Sequence, residues 1–472
     1  MSENLPKAPA LNVRCLHIDL KGMTPTIEYL LEIIRKLADL KINSILLEYE
    51  DKIQFESHPD ISHPTMAFSR EQVRELVEVC RSLGIDIIPK LQCYGHWDYI
   101  LKHSEYQDLR GGGGASSYQI CPSVERSFEV WRDMMDELLE LHGDSEYVHI
   151  GADEVDLTLP CLLCDGQDRF NLYIRHVERC VDYLRERGKK VLIWDDVFRK
   201  HEIDECNDLI KKAIPVVWQY RDINEGFITR LLEHGAEVWG ASGIQITDLR
   251  YAGIMPVKKR LKNINDWALL NNKYGLSSHI ATLWTRAQCQ TPPEGFLPGN
   301  FFSIALWAET VWRGRPVSIE EFSRAFPERF FGENAPELAE MSTFCGIEPS
   351  TVQEMLAPWL GKVSKNSDVL DIIYVLNKLD WVLEYADYCF KSDMALYPAY
   401  LNGQTAVKIN KNYLDGVRIV RERIAEVSGE MDEILGRYLH KDMLEEFKQS
   451  RFAAVEMIND LWERIIGESS YV

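Results

Sequence analysis

No stretch of about 18 uncharged apolar residues interrupts the sequence, so no helix is expected to cross a membrane. The opening segment MSENLPKAPALNVRC has no apolar core of the kind a secretory signal requires, and none is expected there. Positive charge is scarce as well: 53 Lys and Arg stand against 74 Asp and Glu, a formal charge of −21. Such a chain lacks the basic face that nucleic acid or an anionic membrane demands. The excess acid names no substrate, since it mostly serves solubility. Cysteine is sparse and irregular, eleven in 472 residues. An odd, scattered set predicts reduced thiols in a cytoplasmic protein rather than a disulfide framework. Cys161-x-x-Cys164 stands out, but zinc would need two more ligands at matching spacing, and no second such pair exists. The pair is read as structural or incidental.

What is present is ordinary globular material, 46% apolar and 27% charged, and long enough for a barrel-sized domain plus a second unit. Short runs rich in Val, Ile and Leu alternate with longer amphipathic segments, the signal of βα units. The predicted strands are VRCLHIDL (13–20), NSILLEY (43–49), DIIPKLQ (86–92), YVHIG (147–151), VLIWD (191–195), PVVWQY (215–220), AEVWGAS (236–242) and HIATLWT (279–285). Helices are predicted between them, for example over 26–40 and over 69–84, the latter opened by Ser69 and closed by Gly84. Eight such repeats predict an α/β fold, a (β/α)8 TIM barrel over 13–316. A doubly wound open sheet is disfavoured because no Gly-x-Gly-x-x-Gly follows the first strand. Beyond 316 strand-like runs vanish, and 317–472 reads as an all-helical C-terminal domain, with long amphipathic stretches at 367–390 and 440–467. The glycine run Gly111–Gly114 after the third strand is a lid or plain slack.

Barrel enzymes carry their chemistry at the C-terminal ends of the strands, and the fourth strand runs into HIGADEV. Asp153 and Glu154 are adjacent there. Two carboxylates side by side raise each other's pKa and lose water when buried, so a solvated loop pair is the ordinary fate of such a dipeptide. Its place, directly after an apolar strand, argues for more.

HIGADE resembles the His-x-Gly-Gly/Ala-Asp-Glu signature of the family 20 glycoside hydrolases, the exo-acting β-N-acetylhexosaminidases, and the likeness extends over roughly 13–290. HIDLKG, LLEYED and YGH look most like a branch without the family's usual N-terminal domain. The resemblance implies a sugar-binding arginine at Arg14, an aspartate at Asp51 and a histidine at His96, the last two as a hydrogen-bonded pair or as satisfied polar core groups. It also implies aromatic pocket walls at Trp194, Trp218 and Trp284. An ordinary retaining glycosidase needs carboxyls about 5–5.5 Å apart on either side of the anomeric carbon, which adjacent residues cannot easily supply. In this family the substrate's own 2-acetamido oxygen is the nucleophile. Glu154 then becomes general acid and later base, protonated with the help of burial and of its neighbour. Asp153 stays ionised to orient the acetamido group and stabilise the oxazolinium. No metal or organic cofactor is called for.

Tyr220 is expected to donate to the acetamido oxygen or to fill space, His149 to be structural, and Trp239, Trp307 and Trp312 to pack. Asp248 and Tyr251 are left open. Arg286 replaces a glutamate the family commonly places two residues after the eighth-strand tryptophan; an all-donor cation there predicts N-acetyl-β-galactosaminides cleaved at least as well as N-acetyl-β-glucosaminides. Two other classes compete: a metal-dependent barrel hydrolase using Asp19, His96, His149 and Asp153, and a non-catalytic carbohydrate-binding barrel. The expected partner is an oligosaccharide or glycoconjugate, with a homodimer left open.

Overall fold

The computed structural model of the protein describes residues 6–199, 201, 203–246, 254, 257–341, 349–394 and 411–468. Eight parallel strands form a closed barrel in sequence order: β1 (Val13–Asp19), β2 (Ser44–Glu48), β3 (Asp86–Lys90), β4 (Tyr147–His149), β5 (Lys190–Trp194), β6 (Ile214–Trp218), β7 (Trp239–Gln245) and β8 (Ser278–Leu283). Val13 in register with Ser278 closes the ring between β1 and β8. The strands are apolar on both faces because both are covered. Cys15, Leu46, Ile88, Leu192, Trp194, Val216 and Ile280 fill the interior, while Leu16, Ile45, Ile87, Val191, Val217 and Ala281 point outward under the helices.

The predicted helices form where their caps place them. Thr26 caps Ile27–Asp39, and Ser69 with Gln72 builds a capping box for Arg70–Ser82, after which Gly84 takes a φ of 68°. The structure shortens β4 relative to expectation, because the chain turns at Gly151, whose φ is 67° and where a Cβ would lie 1.7 Å from Gln92 Oε1. The first half of the glycine run is tied down: Gly111 N–H donates to Gln119 O, and a Cβ on Gly112 would lie 3.5 Å from Leu159 of the loop after β4.

Helix Phe301–Arg313 stops at the left-handed Gly314, and from Ile319 onward the described regular elements are helices, the longest being Ser367–Met394, Lys411–Ile434 and Lys441–Glu468. One contiguous apolar cluster runs from the helices around the barrel into this region. Polar ties cross the seam at Tyr29–Asp368 (2.7 Å), Thr26 N–Tyr438 O (2.9 Å) and Arg451–Pro293 O (3.0 Å). Among the described residues no helix is long and apolar enough to cross a membrane.

Candidate active site

The loop after β4 separates two neighbouring carboxyl groups by backbone geometry. Ala152 and Glu154 both have positive φ, 68° and 51°, conformations that cost an L residue of the order of 1 kcal/mol or more. Asp153 is thereby buried, 5% exposed, while the Glu154 side chain is 55% exposed. Asp153 Oδ1 accepts from Gln92 Nε2 at 2.9 Å, and Oδ2 lies 3.3 Å from His96 Nε2. Burial alone would raise the Asp153 pKa, but the His96 charge and hydrogen bond, with Lys90 and Gln92, hold it well below the usual carboxylate range. Burial likewise opposes the imidazolium, yet Asp153 lifts His96 to about 10. Tyr118 reaches the same imidazole at 2.6 Å and lies 3.4 Å from Glu154 Oε2, which is itself 3.5 Å from His96. The backbone N–H of Glu154 donates to Asp196 Oδ2 at 3.0 Å.

A second group of charges sits at the ends of β1 to β3. Lys21 Nζ is buried 3.2 Å from Glu48, 3.4 Å from Asp19 and 3.9 Å from Glu50, with the Trp284 ring 4.8 Å away. Lys90 pairs with Glu48 at 2.6 Å. Burial, with Asp98 and Glu48 nearby, pushes the Glu50 carboxyl up against the pull of Lys21. Trp194 is closed off against His149 (4.4 Å between centroids) and Trp284 (6.0 Å). Trp218 and Trp284 are half-buried, and the Trp284 indole donates to Tyr220 at 2.8 Å, so the Tyr220 hydroxyl keeps its own proton to give. Glu50 Oε1, the indole N–H groups of Trp194 and Trp218, Asp195 Oδ2 and Asp196 Oδ1 are buried without hydrogen-bond partners. Each such unsatisfied group costs about 1–3 kcal/mol.

Several sequence expectations change. Arg14 is not at this mouth: it lies at the opposite end of β1, its guanidinium donating to Leu11 O at 2.8 Å and Lys41 O at 2.9 Å and stacking on Trp312 at 4.8 Å. Five residues of strand, about 17 Å, separate it from Asp19. The cation at the mouth is Lys21. Asp51 does not pair with His96; it is held by Lys52 and by Lys102 at 3.1 Å. Arg286 faces no sugar site, being buried in an ion pair with Glu446 and donating to Cys289 O at 3.0 Å. The expected burial of Glu154 is not found. Asp248 and Tyr251 lie outside the described residues. Trp239 fills the barrel interior and Trp307 is buried beside His279. His149 Nδ1 accepts from Gly151 N–H at 2.9 Å, a structural use of the ring. Gln92, Tyr118, Lys21, Glu50 and Asp196 went unsingled in the sequence. Gln92 ends the predicted third strand and Lys21 stands two residues after Asp19, but nothing local marks Tyr118.

The residues of the metal-dependent alternative do not assemble. Asp19 accepts from Lys21 N–H and Thr285 N–H, both at 2.9 Å, and His149 is committed to Gly151. Among the described residues one group of three or more His, Cys, Asp or Glu side chains converges closely enough for a metal, and it is a cysteine trio outside this site.

The mouth of a closed eight-stranded barrel, carrying an ionised aspartate beside an accessible glutamate, is the setting of a glycoside hydrolase. Residues 13–246 match the catalytic domain of glycosyl hydrolase family 20. The curated relatives include hexosaminidase D of Bos taurus, 26% identical over 349 residues, covering 70% of this chain and 99% of that one, and hexosaminidase D of Homo sapiens, 26% identical over 344 residues, covering 69% and 70%. In fold it is similar to the β-N-acetylhexosaminidase of Bacteroides fragilis NCTC 9343, with a TM-score of 0.52 and 18% identity over 68% of this chain and 70% of that one.

Proposed function

We propose that this glycoside hydrolase removes terminal non-reducing β-linked N-acetylhexosamines, GalNAc or GlcNAc, with retention, by substrate-assisted catalysis through an oxazolinium intermediate. The observation that carries the reading is the split at the Asp153–Glu154 dipeptide, one carboxylate buried and held ionised by His96 and Gln92, the other accessible beside Tyr118. Buried Asp153 suits the acetamido N–H and the positive charge that develops on the ring. Glu154 protonates the leaving oxygen and then takes a proton from water. Trp218 and Trp284 wall the acetamido slot, with buried Trp194 packed behind Trp284, and Tyr220 donates to the acetamido oxygen. Lys21 and Glu50 supply a donor and an acceptor for outer hydroxyls, the role expected of Arg14 and Arg286. Asp51 supports the mouth through its lysines. Arg286, tied to Glu446, gives no preference for galactosaminides, and both epimers are substrates. The working unit is the barrel, 13–316, braced by the helices of 317–472, in a cytoplasmic setting suggested by the scattered cysteines.

The test is NMR of the first sugar released from an aryl N-acetyl-β-hexosaminide. The β anomer is expected first. Early α anomer overturns the mechanism, and no turnover of either epimer overturns the activity.

A further inference from the structure

The sequence offers Cys161-x-x-Cys164 without partners at matching spacing, but the fold brings a third sulfur to it. Cys121, forty residues upstream, follows the glycine run, and its Sγ lies 3.6 Å from Cys161 Sγ and 3.5 Å from Cys164 Sγ. All three sulfurs lie within 4.8 Å of one another and are buried beside Leu172 and Val124. The spacing discriminates between the uses of such a trio. A disulfide needs about 2.05 Å between sulfurs and would select one pair. Tetrahedral zinc, with Zn–S about 2.3 Å, sets its sulfurs about 3.8 Å apart, close to both separations from Cys121.

We propose that Cys121, Cys161 and Cys164 hold one zinc ion, which ties the loop after β3 to the loop after β4. Each thiol gives its proton to solvent as its thiolate displaces water from the ion. Among the described residues no fourth His, Cys, Asp or Glu joins the group, so the fourth corner belongs to a solvent oxygen, with Ser123 Oγ at hand 3.2 Å from Cys164 Sγ. The ion's part is mechanical. Gln119, two residues before Cys121, holds Asp156 N–H at 2.8 Å and Asp156 O at 2.9 Å, and Tyr118 beside it touches His96 and Glu154. The clip therefore fixes the register in which two separate loops present one acid.

Metal analysis of the full-length protein, purified without chelator, is expected to find about one zinc per chain, falling at least tenfold in Cys164→Ser and unchanged in Cys389→Ser, whose cysteine lies in helix Ser367–Met394. Replacement of zinc by Co2+ in the unmutated protein is expected to give sulfur-to-cobalt charge-transfer absorption and the intense visible bands of tetrahedral cobalt. This measurement needs no variant to fold. Zinc below about 0.1 per chain after zinc loading and gel filtration overturns the proposal, as does a disulfide within the trio in the native protein or a cobalt spectrum without thiolate bands. None of these readouts depends on glycosidase activity.

Discussion

The two ends of β1 treat a buried cation in opposite ways. At the N-terminal end Arg14 is satisfied by backbone carbonyls and an indole face, with no carboxylate in its hydrogen-bond set. At the C-terminal end Lys21 is packed among Asp19, Glu48 and Glu50, and Glu50 Oε1 lies 3.9 Å from Lys21 without a hydrogen bond. Backbone strain follows the same division. Met23, Glu50, His96, Ala152 and Glu154 have positive φ at the mouth, whereas Lys41 alone of the described non-glycine residues does so at the opposite rim of the barrel. The structural end of β1 satisfies its cation with neutral groups. A site holds charges and strain that only a ligand completes.

The comparison breaks most sharply at the acid pair. Glu154→Gln is expected to cripple glycosides whose leaving groups need a proton and to spare activated aryl leaving groups relatively more. Asp153→Asn is expected to lower both alike, by about 10²–10³ in kcat. A series of aryl glycosides of graded leaving-group pKa measures this, and equal slopes in the two variants would refute the division of roles.

A smaller contrast tests the ends of β1 directly. Lys21→Met is expected to lower kcat/KM roughly 10–100-fold, since a hydrogen bond to a charged group is worth about 1.5–3 kcal/mol. Arg14→Met should leave kcat/KM within about twofold and cost about 1–3 kcal/mol of stability through stranded carbonyls. Kinetics beside denaturant melts separate the two, and the reverse pattern would return the sugar-binding role to Arg14.

Asp195 lends the comparison a pH axis. Burial raises its carboxyl to about 7, and the adjoining Asp196 adds to that while Arg199 opposes it. An acid whose folded value lies above its unfolded one binds its proton more tightly when folded, so stability falls as pH rises from about 4 through 7. Asp195→Asn keeps an oxygen for the backbone N–H of Trp218, which donates at 3.1 Å, and removes the ionisation. Its Tm gain over the parent should be larger at pH 8 than at pH 5; an equal shift at both would mean that Asp195 ionises freely. Least is expected at Arg286. Arg286→Glu sets two carboxylates together at the Glu446 contact and should lower Tm by a few degrees, with the ratio of kcat/KM for galactosaminide and glucosaminide unchanged. A shifted ratio would put residue 286 back in the sugar site.

The sequence by itself determined the barrel, because eight apolar runs alternating with capped amphipathic helices leave little else for a chain to do. It also determined the position of the acid pair, since Asp153 and Glu154 are adjacent and follow a strand whose end must lie at the mouth. Local spacing carries that much. Which residues meet across loops it did not determine. His96 went to Asp153 rather than Asp51, because the lysines at 52 and 102 claim Asp51 once the loops fold. Arg14 fell at the wrong end because matching a spacing to Asp19 says nothing of which rim the strand presents. Lys21, Glu50, Tyr118 and the third cysteine came together through contacts between segments tens of residues apart, and no periodicity along the chain records such distances. Tertiary structure decided those partnerships, because a buried charge must find a counter-charge or hydrogen-bonding groups from whichever segment happens to be near.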